Sequence, residues 1–228
     1  MILDDPLLRI VFERHRVVSA KGPGGPVHFQ NSAGRIGLGF DKLSQVLRES
    51  ASLKDRVVMN IFAGPGNLLR LCSVLECRML FGIDILYPGN SDAEWHYDVT
   101  GQFSAWEKDV PARLPYRKPI FLGKDVLGDK MVEFRNAIDV LFIDPPFGIE
   151  TKLHLNLDET QARAVFNSAL KISWDILRPD GSLVLIVPTA WRAQVEAQTK
   201  DVFTERIAWT VLEGSGIVSM GRLDRDGK

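Results

Sequence analysis

The sequence predicts an α/β fold in which a mostly parallel sheet carries helices on both faces and ends in an antiparallel hairpin. Three observations predict it. Short, continuously apolar runs recur along the chain with amphipathic helical stretches between them, the pattern of parallel strands buried on both faces. Two of these runs, RVVMNIF and IDVLFI, pass directly into backbone-breaking residues, AGPG after the first and DPP after the second. The last two runs instead flank Gly214-Ser215-Gly216, which reads as a hairpin turn.

From Asp4 to Val18 the apolar residues Leu7, Leu8, Ile10, Val11, Val17 and Val18 fall roughly on one helical face, with Pro6 suited to a first turn. A Gly/Pro-rich stretch from Lys21 to Gly39 reads as irregular. A short helix is then predicted from Asp41 to Ser50, with Asp41 as N-cap and Leu43, Val46 and Leu47 facing inward. Arg56 to Phe62 is the first strand of the sheet, followed by a glycine turn and a helix from Asn67 to Glu76. Arg78 to Ile85, Pro119 to Leu122, Ile138 to Ile143 and Ser182 to Val187 supply four more strands. A long helix from Asp158 to Leu177 separates the last two. Tyr87 to Lys118 is predicted as a helix and a long loop. Arg206 to Leu212 and Ile217 to Leu223 form the hairpin.

At 228 residues, 45% hydrophobic and 25% charged, the chain has the make-up of one soluble globular domain, which excludes disordered and collagen-like readings. The 28 basic and 29 acidic residues leave a net charge of −1, which excludes a strongly cationic nucleic-acid binder but not a local basic patch. Cys72 and Cys77 are too few for a disulfide framework and fit no common zinc spacing, so buried free thiols and no metal site are expected. No apolar run reaches the ~18 residues that a bilayer requires. The N-terminus also lacks the basic and apolar segments of a signal peptide. An intracellular, soluble protein of the cytoplasm, nucleoid or nucleus is expected, with no membrane partner.

The glycine turn is the first chemical signal. Asn60-Ile61-Phe62-Ala63-Gly64-Pro65-Gly66 joins a strand to a helix and turns backbone N–H groups toward a ligand. Asp84, followed by Ile85, closes the next strand about twenty residues after Gly64. A carboxylate there accepts hydrogen bonds from a ribose diol; the competing reading is an ordinary turn acid. A nicotinamide dinucleotide would use the same features. Against it, Leu69 stands where that fingerprint needs a small residue for helix–strand packing. Asp125, beside Val126 just past the third strand, is placed to accept from an adenine amino group, with Asp98 as a rival.

The second signal is Asp144-Pro145-Pro146-Phe147 at the end of IDVLFI. Prolines stop a strand and stiffen the backbone, and ligands of open α/β sheets bind at this edge. The chain here resembles the amino-methyltransferases, whose fourth motif is [DNS]PP[FYW], from about Gly34 to the C-terminus. The resemblance implies a Rossmann-like class I methyltransferase fold with a seven-stranded sheet. It also implies S-adenosyl-L-methionine as cofactor and transfer of its methyl group to an exocyclic amine of a nucleobase. Asp144, Pro145, Pro146 and Phe147 become the catalytic set: carboxylate and proline carbonyl hold the amine, and the ring stacks on a base, flipped out where the substrate is a duplex. Cofactor contacts are implied for Phe40, Asn60, Phe62, Gly64, Gly66, Asp84, Ile85, Asp125 and Val126. Two departures stand out. Asn60 occupies a position where the family commonly has Asp, and the Thr-Pro usual in the upstream motif is absent around Gly39-Phe40-Asp41.

The motif order suits adenine-N6 methyltransferases and also the small guanine-N2 methyltransferases of ribosomal RNA, whose N-terminal Arg-Pro-Thr segment is missing here. Adenine N6 is the first expectation, guanine N2 the second, and a catalytically silent subunit of a heteromeric methyltransferase a third of another class. Residues 1–228 are expected to form one methyltransferase domain, with an N-terminal extension over 1–55 and a catalytic core over 56–228. The 81 residues after Phe147 are consumed by the core, so recognition of DNA or structured RNA falls to the extension, the loops, a homodimer or a partner subunit. Residues 1–56 carry nine Lys/Arg against six acids. Lys21 and Arg35 there, and Lys152 and His154 after the DPPF motif, are the candidate nucleic-acid contacts.

Overall fold

The computed structural model describes residues 2–16, 18–22, 25–29, 38–89, 96–126, 131–145, 158–187, 189–199, 203–212 and 216–223. Its strands are β1 (Val18–Gly22), β2 (Gly25–Phe29), β3 (Val57–Ile61), β4 (Met79–Asp84), β5 (His96–Tyr97), β6 (Ile120–Gly123), β7 (Ile138–Ile143), β8 (Leu177–Val187), β9 (Phe203–Leu212) and β10 (Gly216–Leu223). The helices are α1 (Pro6–His15), α2 (Phe40–Glu49), α3 (Asn67–Cys72), α4 (Val99–Asp109), α5 (Glu159–Ile176) and α6 (Arg192–Thr199).

Seven strands form one sheet in the order β6-β4-β3-β7-β8-β10-β9. The first five run parallel, and β10 joins antiparallel to both β8 and β9. All five residues of β3 and all six of β7 are buried, which is why both read as apolar runs interrupted only by Asn60 and Asp139. Their alternation divides the core. Val58, Val140, Phe142, Val184 and Ile186 pack beneath α1 to α4, whereas Met59, Ile61, Leu141, Ile143 and Leu185 face the α5 side with Phe166 and Leu170.

The helical layer differs from expectation at three points. α1 stops at His15, and Val18 belongs to a strand. α2 is capped by Gly39 rather than Asp41, whose carboxylate is engaged by Arg9 at 2.5 Å. α3 ends at Cys72, four residues early. There the Ser73 hydroxyl donates to the Arg70 carbonyl and accepts from the Trp106 indole of α4 at 3.0 Å, and Val74 and Leu75 continue with tighter three-residue turns.

The Gly/Pro-rich stretch expected to be irregular holds paired strand. β1 and β2 pair antiparallel from Val18↔Phe29 to Gly22↔Gly25, and β1 also pairs with β5 through Ala20↔Tyr97. The result is a second sheet of order β2-β1-β5. It is tied to the segment leaving β4, because the Tyr97 N–H donates to the Leu86 carbonyl at 2.8 Å.

Both cysteines are free and buried. Burial pushes the Cys77 thiol up to about 12 and the Cys72 thiol well above its ordinary value, leaving almost no thiolate at neutral pH. Neither should react with a disulfide reagent at pH 8 until the protein unfolds. A fast native-state reaction in a thiol-release assay would contradict this packing.

Candidate active site

The site is assembled where β3, β4, β6 and β7 end. At the end of β3 the backbone takes an unusual course: Phe62 has φ of 61°, Gly64 52° and Gly66 80°. For a bulky residue such as Phe62 the left-handed region is strained. The strain is held by fixed hydrogen bonds, since the Ala63 N–H donates to the Ile83 carbonyl at 3.0 Å and the Gly66 N–H to the Ala63 carbonyl at 2.9 Å. The two glycines do different work. A β-carbon on Gly66 would lie 2.7 Å from the Phe103 ring, whereas one on Gly64 would meet nothing within 4 Å. Gly66 allows α4 to approach, and Gly64 leaves open space above the loop.

Asp84 ties this loop to the end of β4. One carboxylate oxygen accepts from the Gly64 N–H at 2.8 Å and the other from the Leu86 N–H at 2.9 Å. Each oxygen keeps a second acceptor position. Burial raises the Asp84 pKa, against the two N–H bonds that lower it. Asn60, on β3, is 2% exposed, and its Oδ1 accepts no hydrogen bond from any described residue. Such an orphaned acceptor is a standing cost in the bare protein.

Leu69, which argued against a dinucleotide site, has its explanation on the neighbouring strand. Gly82 of β4 stands against it, and a β-carbon there would be 2.5 Å from Leu69 Cδ1 and 3.2 Å from the Tyr87 ring. The small residue that allows close helix–strand packing sits on the strand. Gly82→Ala should destabilise by about 1–3 kcal/mol through overpacking. Leu69→Ala alone should cost about 2–5 kcal/mol through a cavity. In the double variant the two should fall short of their sum in denaturant melts; strict additivity would refute the contact.

The remaining expected residues divide. Past β6, the Lys124 N–H donates to the Asp84 carbonyl at 3.3 Å, placing Asp125 beside the end of β4. Val126 is 5% exposed within the α5-side core, so its side chain serves packing. The rival Asp98 caps α4 through the Gly101 N–H and pairs with Lys21 at 3.1 Å. Lys21 therefore stands in strand β1 with an acidic partner, not in an irregular segment. Phe40 begins α2, and its ring packs edge-on against Phe12, 5.6 Å between centroids, so that ring also belongs to the core. Ile85 follows directly on β4 and is half-buried. Asp144 and buried Pro145 leave β7, with the Asp144 N–H donating to the Ile61 carbonyl of β3 at 3.3 Å. Pro146, Phe147, Arg35, Lys152 and His154 lie outside the described residues.

One residue at this site escaped sequence reasoning. Arg70 of α3 is fully buried, its Nη1 donating to Asn67 Oδ1 at 2.6 Å and its Nη2 to Gln102 Oε1 at 2.7 Å. An arginine in an amphipathic stretch reads as solvated, and nothing local marks it as internal. Among the described residues no His/Cys/Asp/Glu cluster is suited to a metal ion, and no helix is long and apolar enough to cross a membrane.

No family model and no curated protein sequence matches the chain. Solved structures do match. An RNA-methyltransferase-assigned protein from Pyrococcus horikoshii is 15% identical, covering 97% of this chain and 96% of its own, with a TM-score of 0.57. The ribosomal protein L11 methylase of Lactobacillus delbrueckii subsp. bulgaricus is 12% identical over 83% of this chain and 81% of its own, with a TM-score of 0.57. An RNA methyltransferase from Salinibacter ruber in complex with S-adenosyl-L-homocysteine is 14% identical over 83% and 95%, with a TM-score of 0.51. The fold is that of the class I S-adenosylmethionine methyltransferases.

Proposed function

We propose that the chain is an S-adenosyl-L-methionine-dependent methyltransferase acting on an exocyclic amino group of a nucleobase in nucleic acid, adenine N6 ahead of guanine N2. The observation that carries this reading is the juxtaposition of Asp144-Pro145 with the glycine loop: the two strand ends are hydrogen-bonded neighbours through Asp144 N–H and Ile61 O. The residues present fit the cofactor. Gly64 leaves open space, the buried Asn60 Oδ1 lacks a donor among the described residues, and Asp84 retains acceptor positions beside the same loop. RNA methyltransferases among the structural neighbours support a nucleic-acid substrate.

The bound cofactor supplies a methyl group on a sulfonium sulfur. An exocyclic amine is a poor nucleophile because its lone pair is delocalised into the ring. The Asp144 carboxylate and Pro145 carbonyl each accept one N–H bond, drawing the nitrogen toward tetrahedral geometry with its lone pair directed at the methyl. The contribution is orientation and electrostatic stabilisation; as the N–C bond forms, the sulfonium's S–C bond would break to leave a neutral thioether, and the extra amine proton would pass by way of the hydrogen-bonded Asp144 carboxylate to water. Incubation with labelled methyl donor and separate pools of DNA, ribosomal, transfer and messenger RNA, followed by nucleoside mass spectrometry, tests the assignment. N6-methyladenine is expected. N2-methylguanine would move the target to the second choice, and an absence of label in every pool would overturn the nucleobase assignment.

A further inference from the structure

Beneath the glycine loop a full cation is buried with no carboxylate partner among the described residues. Arg70 has 0% of its surface exposed, and its two hydrogen-bonded partners, Asn67 and Gln102, offer neutral amide oxygens. Its guanidinium stacks 5.2 Å from the Phe103 ring centroid, and its Nε donates to no described residue. Burial lowers its pKa to about 10, with the Tyr87 phenol, and no carboxylate, acting against that shift, so it is charged at neutral pH. Burying a cation with no carboxylate partner costs desolvation free energy, set against two amide hydrogen bonds and one ring contact. The charge therefore answers to something the bare fold lacks.

Its surroundings say what. Asn67 directly follows Gly66, and the Phe103 ring under the guanidinium is the one that a Gly66 β-carbon would strike at 2.7 Å. The guanidinium thus underlies the loop of Gly64 and Gly66. Along the sheet edge, β6 and β4 present Asp125 and Asp84, and β7 presents Asp144. With adenine and ribose at the first two and the reactive methyl facing the third, the amino-acid end of the cofactor falls to the β3 loop between them. That end is a zwitterion. The unpartnered Asn60 Oδ1 suits its ammonium, which leaves its carboxylate to be met.

We infer that Arg70 is a positioning residue that readies the β3 loop for the carboxylate of the cofactor's amino-acid end, by fixing the Asn67 amide and supplying the positive charge that the carboxylate neutralises. The inference rests on the S-adenosylmethionine reading above. Arg70 holds the Asn67 side-chain oxygen at 2.6 Å and so fixes the residue that follows Gly66. The buried cation adds a field without exposing a competing donor to water.

The test compares two ligands by calorimetry: S-adenosylhomocysteine, which carries the amino-acid end, and 5′-methylthioadenosine, which lacks it. Arg70→Met should weaken S-adenosylhomocysteine at least tenfold while leaving methylthioadenosine within twofold. Arg70→Lys should fall between wild type and Arg70→Met. Asn67→Ala should reproduce the selective loss, and the double variant should be no weaker than the worse single one. The unliganded Arg70→Met protein should still melt cooperatively, within about 5 °C of the wild-type temperature. Equal weakening of both ligands, unchanged binding of both, or a collapse of the unliganded melting temperature would each make Arg70 a packing residue and overturn the inference. Wild-type protein that binds neither ligand would instead sink the cofactor reading, and this inference with it.

Discussion

Asp144→Ala is expected to lower methyl transfer by about a thousandfold or more, the scale seen when one preorganised polar group is removed from a reacting centre. Binding of S-adenosylhomocysteine should stay within about threefold, because the cofactor contacts proposed for β3, β4 and β6 are untouched. The two effects separate because the carboxylate acts on the amine, whose geometry changes most in the transition state, and not on the bound donor. Asp144→Asn should lose less, since its amide oxygen still accepts one N–H bond. Single-turnover transfer of labelled methyl, with calorimetry on the same preparations, checks both. Unchanged turnover in Asp144→Ala would remove the mechanism proposed here, and parallel loss of turnover and donor binding would make Asp144 a cofactor ligand instead.

The sheet was legible because its central strands are buried on both faces and are apolar but for Asn60 and Asp139. Val57–Ile61 and Ile138–Ile143 therefore stand out as short, mainly apolar runs, and the residues that end them meet through the Asp144 N–H and the Ile61 carbonyl. The Asp84 position followed from the same logic, as the acid terminating the next strand. The second sheet was hidden for a physical reason. β1 and β2 are five residues each and contain Gly22, Gly25 and Pro26, which weaken any strand signal, and β5 is a dipeptide. Only tertiary pairing between Ala20 and Tyr97 brings them together, and no local pattern encodes a partner more than seventy residues away.

At the site, residue type was more legible than environment. Leu69 read as a mismatch until Gly82 was seen across from it, since helix–strand packing is a property of the pair. Phe40 and Val126 were placed near a ligand by motif position, yet their side chains complete the core. Arg70 shows the reverse: burial is decided by Phe103 and Gln102 of α4, more than thirty residues downstream, and turns a residue that reads as solvated into an internal charge.

The two loop glycines should separate ligand binding from folding. Gly66 and Gly64 both have positive φ, 80° and 52°, so each Ala substitution carries backbone strain of about 1–2 kcal/mol. Gly66→Ala adds a clash, because its β-carbon would stand 2.7 Å from the fully buried Phe103 ring. Moving that ring disturbs the α3–α4 contact, for a total loss of about 2–4 kcal/mol. Gly64→Ala meets no protein atom within 4 Å, so its destabilisation stops near the strain alone. Its methyl group instead enters the space left for the cofactor, and donor affinity should fall by about tenfold to a hundredfold, with substitution by Val worse than by Ala. Denaturant melts rank Gly66→Ala as the less stable variant, and calorimetry with S-adenosylhomocysteine ranks Gly64→Ala as the weaker binder relative to its folded fraction. If Gly64→Ala binds as well as wild type, the open space above Gly64 is not where the cofactor lies, and the loop joins β3 to α3 without taking part in recognition.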